Sequence, residues 1–232
     1  MKRAAPPTGQ QTVLVTAFEP FGGRATNRSQ LVLEHIARAA ASPKGVREGV
    51  RVVTRTLPVS FSRLGRAMDR SLTCKPDVVI LMGESAPAEQ LELERAAVNR
   101  VRASIPDNDG EQPIDLPVVP GGPDAYFSTV KPKGALASVR KAGAAARLSG
   151  DAGAFACNAA YYHALHRMHA SGRSHVPVIF VHVPTRGRAL ALRDATKGVL
   201  ALLRHLAEEV APRPQGTRRR TAAGGLRATR KA

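Results

Sequence analysis

The chain has 232 residues, the size of one domain with a full core, and 43% of them are hydrophobic, so a globular body is expected. Of its formal net charge of +17, nine units sit in the ends: Lys2 and Arg3, and then Arg213, Arg218, Arg219, Arg220, Arg227, Arg230 and Lys231 after Ala211. Roughly half the excess charge is therefore in the ends and the body need not be a nucleic-acid binder, and two cysteines, Cys74 and Cys157, do not make a disulfide framework. The basic tail has two readings, a solubilising segment, which we prefer, and a nonspecific nucleic-acid contact. MKRAAPPTGQ has charge but no apolar core of a secretory signal, and no apolar run has the length of a membrane span, so a reduced cytoplasm is the expected location.

In chain order, residues 1–11 read as a disordered, proline-containing start. Thr12–Ala17, TVLVTA, reads as a buried strand, broken by the turn at Phe18–Gly23. Ser29–Ala41 follows as a helix, with Asn27 or Ser29 as its cap. Val50–Leu57 is a strand and Phe61–Ser71 a helix. Val78–Met82, VVILM, is an apolar run suited to a strand covered on both faces, with Gly83–Gln90 leaving it as a loop. Leu91–Val98 fits strand or short helix equally well.

Proline, glycine and aspartate make Ile105–Val119 a loop with hairpin character, and Pro120–Pro123 is a further turn. Lys133–Arg147 is alanine-rich and reads as one helix. A second helix starts near Cys157 and runs to about Ala170, followed by a strand at Val176–Val183. Leu192, Thr196, Val199, Leu203, Leu206 and Val210 mark one face of a closing helix. Strands alternating with helices predict an α/β fold, a three-layer αβα sandwich with a largely parallel mixed sheet over residues 12–210. Residues 211–232 read as a disordered basic tail.

Three residues carry candidate chemistry. Cys157 sits at a loop-to-helix junction, where free N–H groups and the helix dipole favour a thiolate; a small buried apolar role is the alternative. His182 lies near the end of an apolar strand, where α/β folds place their sites, and a core histidine is the alternative. In LELER, strand alternation would put Glu92 and Glu94 on one face, and a solvated surface charge is the alternative. His163, His166 and His169 step by three along the Cys157 helix, a spacing that drifts around the axis and does not make a zinc site. The sequence contains no P-loop, dinucleotide fingerprint or H-E-x-x-H motif, and no metal or cofactor is expected.

Seven separated blocks join these signals. They are VLVTAFEPFGG (Val13–Gly23), LPV (Leu57–Val59), LERAAVN (Leu93–Asn99), IPDNDG (Ile105–Gly110), VPGGPDAYFST (Val119–Thr129), AGAFACN (Ala152–Asn158) and HVP (His182–Pro184). In this order and spacing the chain resembles pyroglutamyl peptidase I, the pyrrolidone-carboxylate peptidase family of cysteine peptidases. The resemblance implies an α/β sandwich, a Glu94–Cys157–His182 triad, a peptide substrate bearing N-terminal pyroglutamate, and a homo-oligomer. It also implies that Phe18 and Phe21 line the lactam pocket; Glu84, Phe155 and Ala156 complete the expected substrate-binding set, and backbone N–H groups at the start of the Cys157 helix are expected to hold the oxyanion.

The chain departs from the family pattern in places. Ala88 stands where many members carry an arginine in a glycine-rich loop, Ser104 stands where many have an arginine before I-P-D-N, and Glu84 replaces an uncharged residue. Two alternatives follow from these departures, a different small-amide hydrolase with the same triad and a binding scaffold without peptidase activity. Glu84 is expected at the rim of the site. If its carboxylate turned inward it would repel the thiolate, and Glu84→Gln would then raise activity.

Overall fold

The computed structural model describes residues 10–42, 46–185 and 190–211. Both termini beyond these residues, including nearly all of the tail read as disordered, lie outside them. The elements run β1 (Gln11–Phe18), α1 (Arg28–Ala41), β2 (Val50–Leu57), α2 (Phe61–Leu72), β3 (Val78–Ser85), β4 (Leu91–Glu94), β5 (Ala96–Val98) and β6 (Val101–Arg102). They continue with β7 (Ile114–Leu116), β8 (Ala125–Phe127), α3 (Pro132–Lys141), β9 (Ala146–Ser149), α4 (Ala156–Ala170), β10 (Val178–Pro184) and α5 (Leu192–Glu209).

Six strands form one sheet in the order β2-β1-β3-β10-β4-β9. All neighbours are parallel except β10 and β4. The fold is therefore the expected α/β sandwich with a mixed, largely parallel sheet. Strand alternation sends Val13, Val15, Val78, Ile80, Met82, Ile179 and Val181 into a core shared with α1, α3 and α5. Leu14, Phe18, Val79, Leu81, Val178 and Phe180 enter a second core, against α2 and α4. Burial on both faces is why these strands read as continuous apolar runs.

Four local readings change. Gln11, placed in the disordered start by sequence, opens β1 and pairs with Val50. Leu91–Val98 resolves to strand, as β4 and β5, because pairing with β10, β9 and β8 satisfies its backbone. Lys133–Arg147 is not one helix. Gly143, at φ +84°, ends α3, and Ala146–Ser149 joins the sheet as its edge strand β9. β3 runs on through Gly83, Glu84 and Ser85, so that these residues obey the pleat and are not free loop.

Two short ribbons, β5–β8 and β6–β7, stand off the main sheet and expose Ile114, Leu116 and Phe127. No helix among the described residues is long and apolar enough to cross a membrane.

Candidate active site

The pleat decides which side chains meet. On β10, Val181 and Val183 face the α1/α3/α5 core, so His182 faces α4. On β4, Leu91 and Leu93 face the same core, so Glu92 and Glu94 face α4. Gly83, two residues on from Leu81, shares that face.

The α4 helix begins at Ala156, with Phe155 as an N-cap that makes no side-chain hydrogen bond. Cys157 is its second residue, so the N–H groups of Ala156, Cys157 and Asn158 are in the first turn and lack intrahelical partners. Asn158, fully buried, fastens this end to the start of the β5–β6 region. Its Oδ1 accepts from Val98 N at 2.9 Å, and its Nδ2 donates to Val98 O and Arg100 O, each at 2.9 Å. Tyr161, one turn on, donates to Glu94 O at 3.1 Å and so ties α4 to β4.

His182 Nδ1–H donates to Glu94 Oε1 at 2.8 Å. That bond leaves Nε2 free, and Cys157, which lines the same cavity, is the ring's other polar and negatively charged neighbour. Glu94 is 1% exposed and His182 7%. Burial opposes charge on His182, but the hydrogen bonds and negative charge of Cys157 and Glu94 outweigh it and raise the imidazole pKa to about 10.

Gly83 makes room for this line. A Cβ there would stand 2.6 Å from Cys157 Sγ and 2.9 Å from Phe180 Cζ, closer than atoms pack. Cys74, the other free cysteine, is half-buried, donates to Ser71 O at 3.3 Å, and has its thiol pKa raised by burial.

Cys157 and His182 open into a cavity of about 680 Å³, also lined by Phe21, Glu84, Glu92, Ile105, Arg147 and Phe155. A smaller cavity of about 180 Å³ behind β4 touches Glu94 but neither Cys157 nor His182. Phe21 and Phe155 pack with ring centroids 5.9 Å apart and form an aromatic wall. The turn carrying Phe21 is held by Glu19 Oε1, which accepts from Val59 N at 3.0 Å and Asn108 Nδ2 at 2.9 Å. Three of the sequence blocks thus converge beside the cavity.

The expectation for Phe18 needs correction. It is 2% exposed and packs in the α2/α4 core, because it follows Leu14 by an even number of residues on β1; it does not line the cavity. Ala156 is also buried, and offers the site its backbone N–H only.

The Glu84 expectation changes more. Because β3 continues to Ser85, Glu84 shares the sheet face of Ile80 and Met82 and not that of Gly83, while still bordering the cavity at its rim. Its Oε2 accepts from Arg28 N at 2.9 Å, the first N–H of α1, and its Oε1 is ion-paired with Arg24. The carboxylate is committed to a helix N-terminus and a guanidinium, and the repulsion argument loses its geometry. Glu84→Gln is therefore expected to cost stability, not to raise activity: about 1 kcal/mol, or a melting temperature lower by about 2–4 °C. Thermal unfolding of the two proteins checks this, and an unchanged midpoint would remove Glu84 from the α1 cap.

Among the described residues, Glu92, Glu94 and His182 offer ligand atoms within 4.8 Å of one another. Arg147 is ion-paired with Glu92, and His182 with Glu94, so each carboxylate of this group already has a cationic or hydrogen-bonding partner. His166 bonds to Tyr126 Oη at 3.1 Å, and burial lowers the His163 pKa to about 4.

A family model described as pyroglutamyl peptidase matches residues 11–206. The chain belongs to the pyroglutamyl peptidase family. It is 38% identical over 175 residues to the pyrrolidone-carboxylate peptidase of Escherichia fergusonii, covering 75% of this chain and 78% of that one. It is 41% identical over 174 residues to the Clavibacter michiganensis enzyme of the same name, with the same coverage. The crystal structure of pyrrolidone carboxyl peptidase from the hyperthermophile Pyrococcus furiosus superposes with a TM-score of 0.78 at 30% identity. That match spans 86% of this chain and 99% of that one.

The residues that sequence reasoning missed are Gly83 and Arg147. The sequence reads Gly83 as loop and Arg147 as helix, and neither reading gives the residue a direction.

Proposed function

We propose that this member of the pyroglutamyl peptidase family is a cysteine exopeptidase that removes N-terminal pyroglutamate through Cys157, His182 and Glu94. The observation that carries the reading is the Glu94–His182–Cys157 line at the open first turn of α4, beside an aromatic-walled cavity. The Cys157 thiolate attacks the pyroglutamyl carbonyl, and first-turn N–H groups of α4 hold the oxyanion. The His182 imidazolium gives its proton to the leaving amine, and a thioester remains. Neutral His182 then takes a proton from water, which attacks the thioester and releases pyroglutamate and the thiolate. Glu94 keeps the imidazole oriented and stabilises its charged form throughout.

Phe21, Phe155 and Ile105 suit a small, flat, uncharged ring. A charged N-terminal amine would be desolvated there, which disfavours ordinary peptides. Free thiols at Cys74 and Cys157 support a reduced cytoplasm as the setting, and the exposed apolar ribbons support a homo-oligomer. Release of a chromophore from a pyroglutamyl amide, beside the proline and glutamate amides, tests the reading; no release from the first overturns it. A second reading, a changed small-amide substrate, is favoured by one observation. Two of the three departing residues, Glu84 and Ser104, line the cavity. Faster release from the proline amide would decide for it.

The raised His182 pKa has a signed consequence. The imidazolium that protonates the leaving amine persists well above the pH at which free histidine is neutral, and is lost as pH rises through about 10. The alkaline limb of kcat/KM is expected in that region. Glu94→Gln removes the charge that favours the imidazolium and should move the limb to lower pH, besides reducing the rate. A limb that stays in place in Glu94→Gln would mean that Glu94 does not act through His182.

A further inference from the structure

The sheet lines up four positions across four strands on the face toward α4. Gly83 of β3 is in register with His182 of β10, His182 with Glu92 of β4, and Glu92 with Arg147 of β9. Glu94 belongs to the next row, beside Phe180 and Ser149. His182 therefore has two carboxylates at hand, one bonded to its Nδ1 and one directly across the ladder.

Glu92 is 7% exposed and lines the cavity that holds Cys157 and His182. Arg147 donates from Nε to Glu92 Oε1 at 2.9 Å, and a second bond comes from its Nη2. Among the described residues lining that cavity, Arg147 is also the one lysine or arginine.

We propose that the Glu92–Arg147 pair is a positioning device for the reaction: it holds the second carboxylate beside His182 in neutralised form, and so sets the pH window in which the Cys157 thiolate and His182 imidazolium coexist. This rests on the reading of Cys157 and His182 as the reacting pair.

The charges around that pair can be followed element by element. β4 brings Glu92 and Glu94, and β9 brings Arg147. The loop after β9 brings exposed Asp151 to the cavity rim. β3 brings Glu84, on its far face and already paired with Arg24. The α4 residues at the contact, Asn158 and Tyr161, are uncharged. With Arg147 present, Glu92 adds no net charge to the line. Without Arg147, a buried carboxylate faces the cavity unpaired; it repels the thiolate and attracts the imidazolium, so that both limbs of the profile move to higher pH. Without the Glu92 charge, Arg147 is left as an uncompensated cation, and both limbs move to lower pH. The side chain of Arg147 is 57% exposed, so solvent screens part of its effect.

The test is the pH dependence of iodoacetamide alkylation of Cys157, read on the Cys157 peptide by mass spectrometry in the full chain. It needs no substrate. An active site that fails to hydrolyse pyroglutamyl amides would overturn the proposed function but would still give this profile. The midpoint is expected to rise by about one pH unit in Arg147→Met and to fall by a similar amount in Glu92→Gln. It should return to within a few tenths of a unit of the parent in the double variant. Arg147→Lys, which keeps the charge without the forked geometry, should stay near the parent. Shifts of the same sign in the two single variants, or no shift in either, overturn the proposal. So does an Arg147→Met variant that loses rate with an unmoved midpoint, which is the result of a structural role. If Arg147→Met does not fold, Glu92→Gln decides: a fall supports the pair, and a rise or no change overturns it.

Discussion

Replacing Cys157 by serine is expected to abolish turnover of pyroglutamyl amides and to remove their sensitivity to thiol alkylation. The loss should be about 10⁴-fold or more in kcat/KM, because the reaction loses its nucleophile and not a contributing contact. The geometry that motivates this is the position of Cys157 in the first turn of α4, against the ring of a buried histidine whose other nitrogen is bonded to a buried carboxylate. Serine keeps the size but has no accessible anion near neutral pH, and the helix field cannot make up that difference. Cys74→Ser supplies the control. Its thiol is turned to the carbonyl of Ser71 and made less acidic by burial, so both turnover and inhibition should be unaffected. Turnover that survives in Cys157→Ser would sink the mechanism.

Gly83→Ala is expected to reduce kcat/KM by about a hundredfold while the protein stays folded. One methyl group at this position would sit 2.6 Å from Cys157 Sγ. The thiol must therefore move away from the reacting line, and a displacement of about 1 Å in a reacting atom carries a penalty of this order. The alkylation rate of Cys157 should change with the turnover, since the same atom is displaced. Gly198→Ala is a useful comparison. Its added methyl meets Ala144 Cβ at 2.7 Å and Leu91 Cδ1 at 2.8 Å, in the α3/α5 core away from the thiol. It should lower thermal stability and leave the alkylation profile in place. Parent-level activity in Gly83→Ala would show that the pocket under the thiol has slack, and that Gly83 does not position it.

Strands β1, β2, β3 and β10, helices α1, α2, α4 and α5, the capped start of α1 and a helix opening near Cys157 were determined by sequence alone. Each depends on local signals: apolar runs such as Val78–Met82, a cap residue such as Asn27, and a small-residue turn leading into α4. The seven blocks, read as a resemblance, also carried the family, and the family model and curated relatives agree with it. The directions of the side chains were decided only by the tertiary structure. Whether Leu91–Val98 is strand or helix depends on β10 and β9, which lie far away in sequence, and the identity of β9 itself depends on a partner for its backbone. Once β3 was carried past Met82 by that pairing, alternation turned Gly83 toward the thiol and Glu84 away from it, toward α1. A one-residue difference in where a strand ends reverses every such assignment, because the pleat has a period of two. For the same reason the row Gly83, His182, Glu92 and Arg147 has no signature in the chain: its members come from four strands, and only register brings them side by side.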